Sequence, residues 1–184
     1  MKTLIINGSP RINGDTAFLL SEFKKHINHE IIEIRVFDKK IKIRSCNDCR
    51  MCKEQKGCVI KDDMELIYND DFNNVLIASP LYMSNLTPPL ISLASRFQAY
   101  YCAARFLRDK IKISEKKAGL ILVGGGDGGP KPAENMSKII FKYLNAKGFE
   151  EHTALSLKTD DIPASADEQA IEMSRKIALY FNNS

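Results

Sequence analysis

Tryptophan is absent from the 184 residues, and only 8% of them are aromatic, which removes the commonest platform for stacking on a flat ring. No stretch approaches the ~18–20 consecutive apolar residues that cross a bilayer. The opening, Met1-Lys2-Thr3-Leu4-Ile5-Ile6-Asn7, is apolar for only a few positions before Gly8 and Pro10, too short for a secretory h-region. A cytoplasmic protein with no membrane partner is expected. An excess of one charge is also missing. The net charge is +4, from 27 Lys and Arg against 23 Asp and Glu. These are dispersed rather than gathered on one face or tail, which argues against nucleic acid as a partner. Repeats, low-complexity tracts and linkers are lacking too. What is present, 44% hydrophobic and 27% charged residues, suits one soluble domain with a sizeable core.

Punctuation and periodicity give the order of elements. Lys2–Asn7 is a short apolar run ended by Gly8-Ser9-Pro10 and reads as a buried strand. A helix is predicted from Asp15 or Thr16, with Phe18, Leu19, Phe23 and Ile27 at helical spacing. Glu30–Phe37 alternates and is rich in β-branched residues, a second strand. Asp62 and Glu65 form an expected capping box for a short helix. Asn74–Ser79 is a third strand stopped by Pro80, and Pro88-Pro89 opens a long helix to about Arg108. Lys117–Val123 is a fourth strand, followed by a helix from about Pro132 to Lys147 with Gly148 as its left-handed terminator. His152–Leu157 is a fifth strand, and Ser165 with Glu168 caps a last helix. Strands alternating with helices imply a parallel sheet covered on both faces. The expected fold is α/β: a flavodoxin-like three-layer sandwich, its five-stranded parallel sheet in the order 2-1-3-4-5. Residues 1–184 are expected to form one such domain, with a Cys-rich loop inserted at about 38–61.

The loop after the first strand, Gly8-Ser9-Pro10-Arg11-Ile12-Asn13-Gly14-Asp15-Thr16, lies where ligands bind in open α/β sheets. The following helix offers free amides and a positive dipole end to a phosphate. Ser9 and Thr16 add hydroxyls, Arg11 a guanidinium fork, and Gly14 close backbone approach. The sequence has no Gly-Lys-Ser/Thr of a P-loop. Its only G-x-G-x-x-G lies within the glycine run 124–129, after the fourth strand.

Four of the five cysteines fall within thirteen positions as Cys46-x2-Cys49-x2-Cys52-x5-Cys58. Bacterial ferredoxins open their cluster motif with the same C-x2-C-x2-C start. Arg44, Arg50, Lys53 and Lys56 lie among the thiols and would offset the charge of a thiolate-bound cluster. A [4Fe-4S] cluster on Cys46, Cys49, Cys52 and Cys58 is the leading reading. A four-cysteine zinc site, an empty loop and metal-free redox thiols are the others. Cys102, alone in an aromatic-rich helix, reads as core.

Asn7-Gly8-Ser9-Pro10-Arg11 with Gly14 and Thr16, then Ser79-Pro80-Leu81-Tyr82, then the glycine run, resemble the NAD(P)H-dependent FMN reductase family of flavodoxin-like proteins. The cysteine segment through Cys58-Val59-Ile60-Lys61-Asp62-Asp63-Met64 resembles its iron–sulfur flavoprotein branch. The resemblance implies bound FMN, with Ser9, Arg11, Asn13, Gly14, Asp15 and Thr16 at its phosphate. Pro80, Leu81, Tyr82 and Met83, with Ser84 and Asn85 behind, would follow the ribityl chain and ring, and Gly124, Gly125 and Gly126 would pass close to the ring. Asp15 departs from the Asn or Ser frequent in the family, and a carboxylate there must point away or cap the helix. Where many members carry Lys and Asp-Arg, this chain has Ile91 and Ser95-Arg96.

The implied function is electron transfer from NAD(P)H through FMN to a flavin, a quinone or another small acceptor. One alternative is an electron carrier linking a ferredoxin-like donor, a [4Fe-4S] cluster and FMN. Another is a non-catalytic FMN-binding protein. No catalytic side chain is assigned, since His26, His29 and His152 read as helix-end or surface residues. Family resemblance also implies a homodimer or homotetramer. The stripe Leu90, Leu93, Ala94, Phe97 and Tyr101 is compatible with either core or interface.

Overall fold

The computed structural model describes residues 1–108 and 111–183. Six strands share one parallel sheet: β1 (Lys2–Asn7), β2 (Glu30–Arg35), β3 (Asn74–Pro80), β4 (Lys116–Val123), β5 (Ala146–Lys147) and β6 (Thr153–Ser156). The helices are α1 (Asp15–His26), α2 (Glu65–Tyr68), α3 (Pro88–Ala94), α4 (Gln98–Phe106), α5 (Lys131–Tyr143) and α6 (Glu168–Asn182).

The sheet order is β2-β1-β3-β4, with β5 and β6 both on the free side of β4. β5 pairs with Lys116–Lys117, and β6 pairs further along with Leu120–Val123. The expected order 2-1-3-4-5 is therefore present, with two short segments end to end in the fifth place. Between them the chain leaves the sheet through Gly148, whose φ is +88° and whose absent Cβ would stand 2.5 Å from the Tyr180 hydroxyl.

Alternation along the central strands builds both cores at once. Leu4, Ile6, Val75, Ile77, Leu120 and Leu122 face Leu90, Leu93, Phe97, Ile140 and Phe141 of α3, the α3–α4 junction and α5. Ile5, Leu76, Ala78, Ile121 and Val123 face Leu19, Phe23, Ile177 and Phe181 of α1 and α6. The strands between two helical layers have no solvent face, which is why they read as continuous apolar runs.

Four local expectations are corrected. The helix expected over 88–108 is two helices joined by a 3-10 turn at Ser95–Phe97. There Ser95 Oγ donates to Ser92 O at 2.6 Å, a back-bond that competes with the helical ladder. α5 stops at Tyr143 rather than Lys147, and the left-handed residue after it is Asn145, φ 52°. The chain must turn there to place Ala146 beside Lys116. α6 is capped by Asp167, which accepts from Ala170 N at 3.0 Å, not by Ser165. Asp62 accepts from Met64 N (3.2 Å), but Glu65 pairs with Lys61 and does not close a capping box.

Candidate functional site

The ends of β1, β3 and β4 open onto one crevice, lined by Ser9, Pro10, Arg11, Gly14, Asp15, Thr16, Pro80, Leu81, Tyr82, Val123, Gly125, Thr159 and Asp160. Close packing under its floor fixes the first loop. A Cβ on Gly8 would stand 2.9 Å from Leu90 Cδ1, Ser79 Oγ and Thr87 Oγ1. Gly8 N donates to Ala78 O (2.7 Å), and Thr87 Oγ1 donates to Gly8 O (3.0 Å). The loop is thereby strapped to β3 and to the start of α3.

Ser9 is buried and closes the turn: its Oγ donates to Arg11 O (3.1 Å), and its N–H donates to Asn7 Oδ1 (2.9 Å). In α1 the first bond is Phe18 N to Gly14 O at 2.9 Å, so the earlier first-turn amides are left for the loop or a ligand. Arg11 is exposed, lines the crevice and forms no ion pair among the described residues. Asp15 turns one carboxylate oxygen away from the loop, accepting from Ala164 N at 2.8 Å in the segment before α6. Amides, a buried Thr16 and the Arg11 guanidinium are the donors this end of the crevice offers to an anion, set against the carboxylates of Asp15 and Asp160 in the same lining.

The crevice volume is about 190 Å³, below the ~300–1,000 Å³ of typical ligand pockets. A nucleotide-sized ligand anchored there must extend past the mouth, where Tyr82 is 44% and Met83 98% exposed. The 81–85 segment is a tight turn. Tyr82 N donates to Asn85 O (2.8 Å) and Asn85 N to Tyr82 O (3.0 Å), with Met83 and Ser84 both left-handed.

Of the expected site residues, Ser9, Arg11, Gly14, Asp15, Thr16, Pro80, Leu81, Tyr82 and Gly125 line the crevice. Asn13 sits beside it in a neighbouring depression with Arg11 and Asp15. Met83, Ser84, Asn85, Gly124 and Gly126 lie outside it. Ser84 O accepts from Ala133 N (3.1 Å), which ties the turn to α5. Gly124 faces Leu81, and a side chain at Gly126 would meet open space. Thr159 and Asp160 line the crevice without a sequence signal. They arrive through β6, after which Thr159 N donates to Gly124 O and Asp160 N to Gly125 O, both at 3.0 Å.

The histidines lie elsewhere. His26 Nδ1 contacts Glu22 O, His29 Nε2 contacts Thr3 Oγ1, and His152 stacks on Tyr180. Leu90, Leu93 and Phe97 of the expected stripe are buried within the chain as core, whereas Ala94 is half-buried and Tyr101 is exposed.

The four loop cysteines line a second pocket together with Arg50, Lys53, Arg96, Gln98 and Cys102. Cys102 is buried, as expected of a core residue, yet it borders this pocket from α4. Burial and a hydrogen bond with Cys102 push the Cys52 thiol up to about 12. Among the described residues no three His, Cys, Asp or Glu side chains are gathered closely enough to hold a metal ion. The soft thiol donors suit a thiophilic metal or an iron–sulfur cluster, but no finished coordination shell is present.

Asp62 and Arg96 fasten this loop, Nη1 to Oδ2 at 2.7 Å, with both side chains almost fully buried. Burial alone would raise the Asp62 carboxyl. The Arg44 amide, the Arg96 guanidinium and the Met64 amide together outweigh it and hold the carboxyl below its usual 3.8. A depressed folded-state value means stability that is complete above the ordinary carboxylate range and lost as pH falls through the lower one. Proteolysis of the 44–61 segment is therefore expected to stay slow at about pH 5 and to accelerate only as the pH falls below the ordinary carboxylate range. Fast cleavage already at the higher pH contradicts this.

The family model for NADPH-dependent FMN reductases matches residues 1–159. The chain belongs to this family. Among curated relatives, an iron–sulfur flavoprotein of Methanocaldococcus jannaschii is 33% identical over 131 residues, 69% of this chain and 63% of the relative. A second from the same organism is 32% identical over 134 residues, 70% of this chain and 65% of the relative. The chain thus spans a little under two thirds of the length of these relatives. Solved structures share the fold. An NAD(P)H:quinone oxidoreductase of Methanothermobacter marburgensis superposes with a TM-score of 0.75 at 12% identity, covering 100% of this chain and 98% of that one. An FMN-dependent NADH-azoreductase of Bacillus anthracis, in complex with FMN, gives 0.69 at 17% identity with full coverage of both. No helix among the described residues is long and apolar enough to cross a membrane.

Proposed function

We propose that this chain is an FMN-containing oxidoreductase that takes electrons from NAD(P)H and passes them to a flavin, a quinone or another small acceptor. The observation that carries the reading is the crevice in which the Gly8–Thr16 loop meets Pro80, Leu81, Tyr82 and Gly125. Ser9, Arg11, Asn13 and Thr16, with the first-turn amides of α1, would hold the phosphate. Leu81, Tyr82 and Met83 would border the remainder, with Ser84 and Asn85 shaping their turn. When bound, FMN supplies hydride acceptance and one- or two-electron transfer. The chain's part is to anchor and orient the cofactor while leaving its outer face open to a donor. Residues 1–184 form one flavodoxin-like domain in this reading, with 38–61 inserted; self-association into a homodimer or homotetramer rests on family resemblance alone.

The purified protein is expected to be yellow with one FMN per chain, and apo protein to regain that stoichiometry on titration. Apo protein that takes up no FMN ends the proposal. Rapid NADPH oxidation by the reconstituted protein separates the enzyme from a carrier.

The thiol pocket supports a second reading: an electron carrier in which Cys46, Cys49, Cys52 and Cys58 hold a [4Fe-4S] cluster that exchanges electrons with a ferredoxin-like donor. Such a cluster supplies one-electron chemistry, and Arg50, Lys53 and Arg96 would offset its charge. Iron and sulfide analysis of anaerobically prepared protein decides, and absence of both rejects the cluster.

A further inference from the structure

We propose that Arg96, with Ser95 beside it, is the positioning residue of the cysteine pocket, holding both limbs of the loop so that its thiols border one pocket with Cys102. The inference rests on reading that pocket as a thiol-ligand site.

Arg96 lies in the 3-10 turn between α3 and α4 and is 1% exposed. Nη1 donates to Arg44 O at 3.0 Å, and Nη2 donates to Ile60 O at 3.0 Å. Arg44 stands two residues before Cys46, and Ile60 two residues after Cys58. One guanidinium plane therefore joins the two ends of the loop. Asp62 reinforces it, accepting from both Arg96 Nη1 (2.7 Å) and Arg44 N (2.9 Å) through Oδ2. Ser95 Oγ accepts the amide of Cys46 itself at 2.9 Å.

Arg44 Nη2 also donates to Lys61 O (3.2 Å), Lys42 and Asp63 pair at the base of the limbs, and Lys53 lies over the Phe106 ring at 4.8 Å. Between the limbs its regular structure is one three-residue 3-10 turn, flanked by left-handed Asp48 and Arg50. The α3–α4 junction that supplies the clamp continues directly into Gln98 and Cys102 of α4, which close the pocket from below. Arg96 thus fixes both ends of the loop to the same turn from which Cys102 follows in α4, while Lys53 over Phe106 adds a direct contact to that helix.

Stability alone is a poor account of this arrangement. A buried ion pair roughly breaks even against well-packed apolar residues of the same volume. Arg96 also leaves Nε buried without a partner among the described residues. What the planar fork provides, and a lysine ammonium cannot, is simultaneous donation to several acceptors in a fixed geometry.

The test uses full-length, metal-free, reduced protein and phenylarsine oxide, a trivalent arsenical that is retained against a monothiol competitor only when two sulfurs bridge it. The wild type is expected to retain it. Arg96→Met is expected to weaken retention by about ten-fold or more, in line with losses on removing groups that orient metal ligands, while FMN affinity stays within roughly two-fold. Arg96→Lys, which keeps the charge beside Asp62 and removes the fork, is expected to resemble Arg96→Met in retention. Undiminished retention in either variant overturns the proposal. Should Arg96→Met yield no FMN-binding protein, Arg96→Lys alone decides. A wild type that retains no arsenical also overturns it, by showing that the thiols do not converge; iron analysis, which tests the cluster, does not enter this readout.

Discussion

Replacing Arg11 with alanine is expected to weaken FMN binding by about 10- to 100-fold while leaving riboflavin binding within roughly two-fold. The reason starts with the unpaired guanidinium at the rim of the crevice. A hydrogen bond to a charged partner contributes about 1.5–3 kcal/mol, and each ~1.4 kcal/mol is ten-fold in affinity. Riboflavin lacks the phosphate, so a residue that serves only the phosphate leaves its affinity alone. Because Arg11 is solvent-exposed, the difference should shrink as salt rises. Fluorescence titration with both ligands at two salt concentrations measures it. Equal losses for FMN and riboflavin would place Arg11 at the ring, and no loss for FMN would remove the anion site from the first loop.

Truncating Phe181 to alanine should destabilise the protein by about 3–5 kcal/mol, the range for emptying a buried aromatic site. Phe181 is fully buried and meets Phe23 edge-on, ring centres 5.7 Å apart. It also fills the hollow over Gly119, where an added Cβ would stand 3.1 Å from its Cζ. The residue lies in α6, beyond the stretch that matches the family, so the experiment asks whether that last helix belongs to the same cooperative unit. Urea unfolding should show a lower midpoint at unchanged slope. A change below about 1 kcal/mol would mean that the site collapses around the gap or that α6 unfolds separately.

Features written in consecutive residues were the legible ones. The glycine and proline after Asn7 end β1, the apolar period of α1 follows, and the C-x2-C-x2-C spacing stands out unaided. Features made by distant pairing were not. Gly148 satisfies a local rule for ending a helix, but Ala146 and Lys147 pair with β4, so the helix stops earlier and Asn145 takes the left-handed turn. Ser95 interrupts a long apolar helical period because its hydroxyl serves both Ser92 and Cys46. Arg96, in sequence only a departure from the family pattern, reaches across to residues 34 to 52 positions away. Thr159 and Asp160 line the crevice only because β6 pairs with the far half of β4. Cys102, isolated in sequence, borders the same pocket as the four clustered thiols because α4 packs beneath their loop.

The bond from Asp15 to Ala164 couples two distant parts of the chain. The carboxylate that could have repelled an anion at the first loop instead secures the stretch leading into α6, and that stretch supplies Thr159 and Asp160 to the crevice wall. A ligand seated against that wall is held by residues from both ends of the chain, so its binding is expected to raise the melting temperature of the whole domain rather than of the first loop alone.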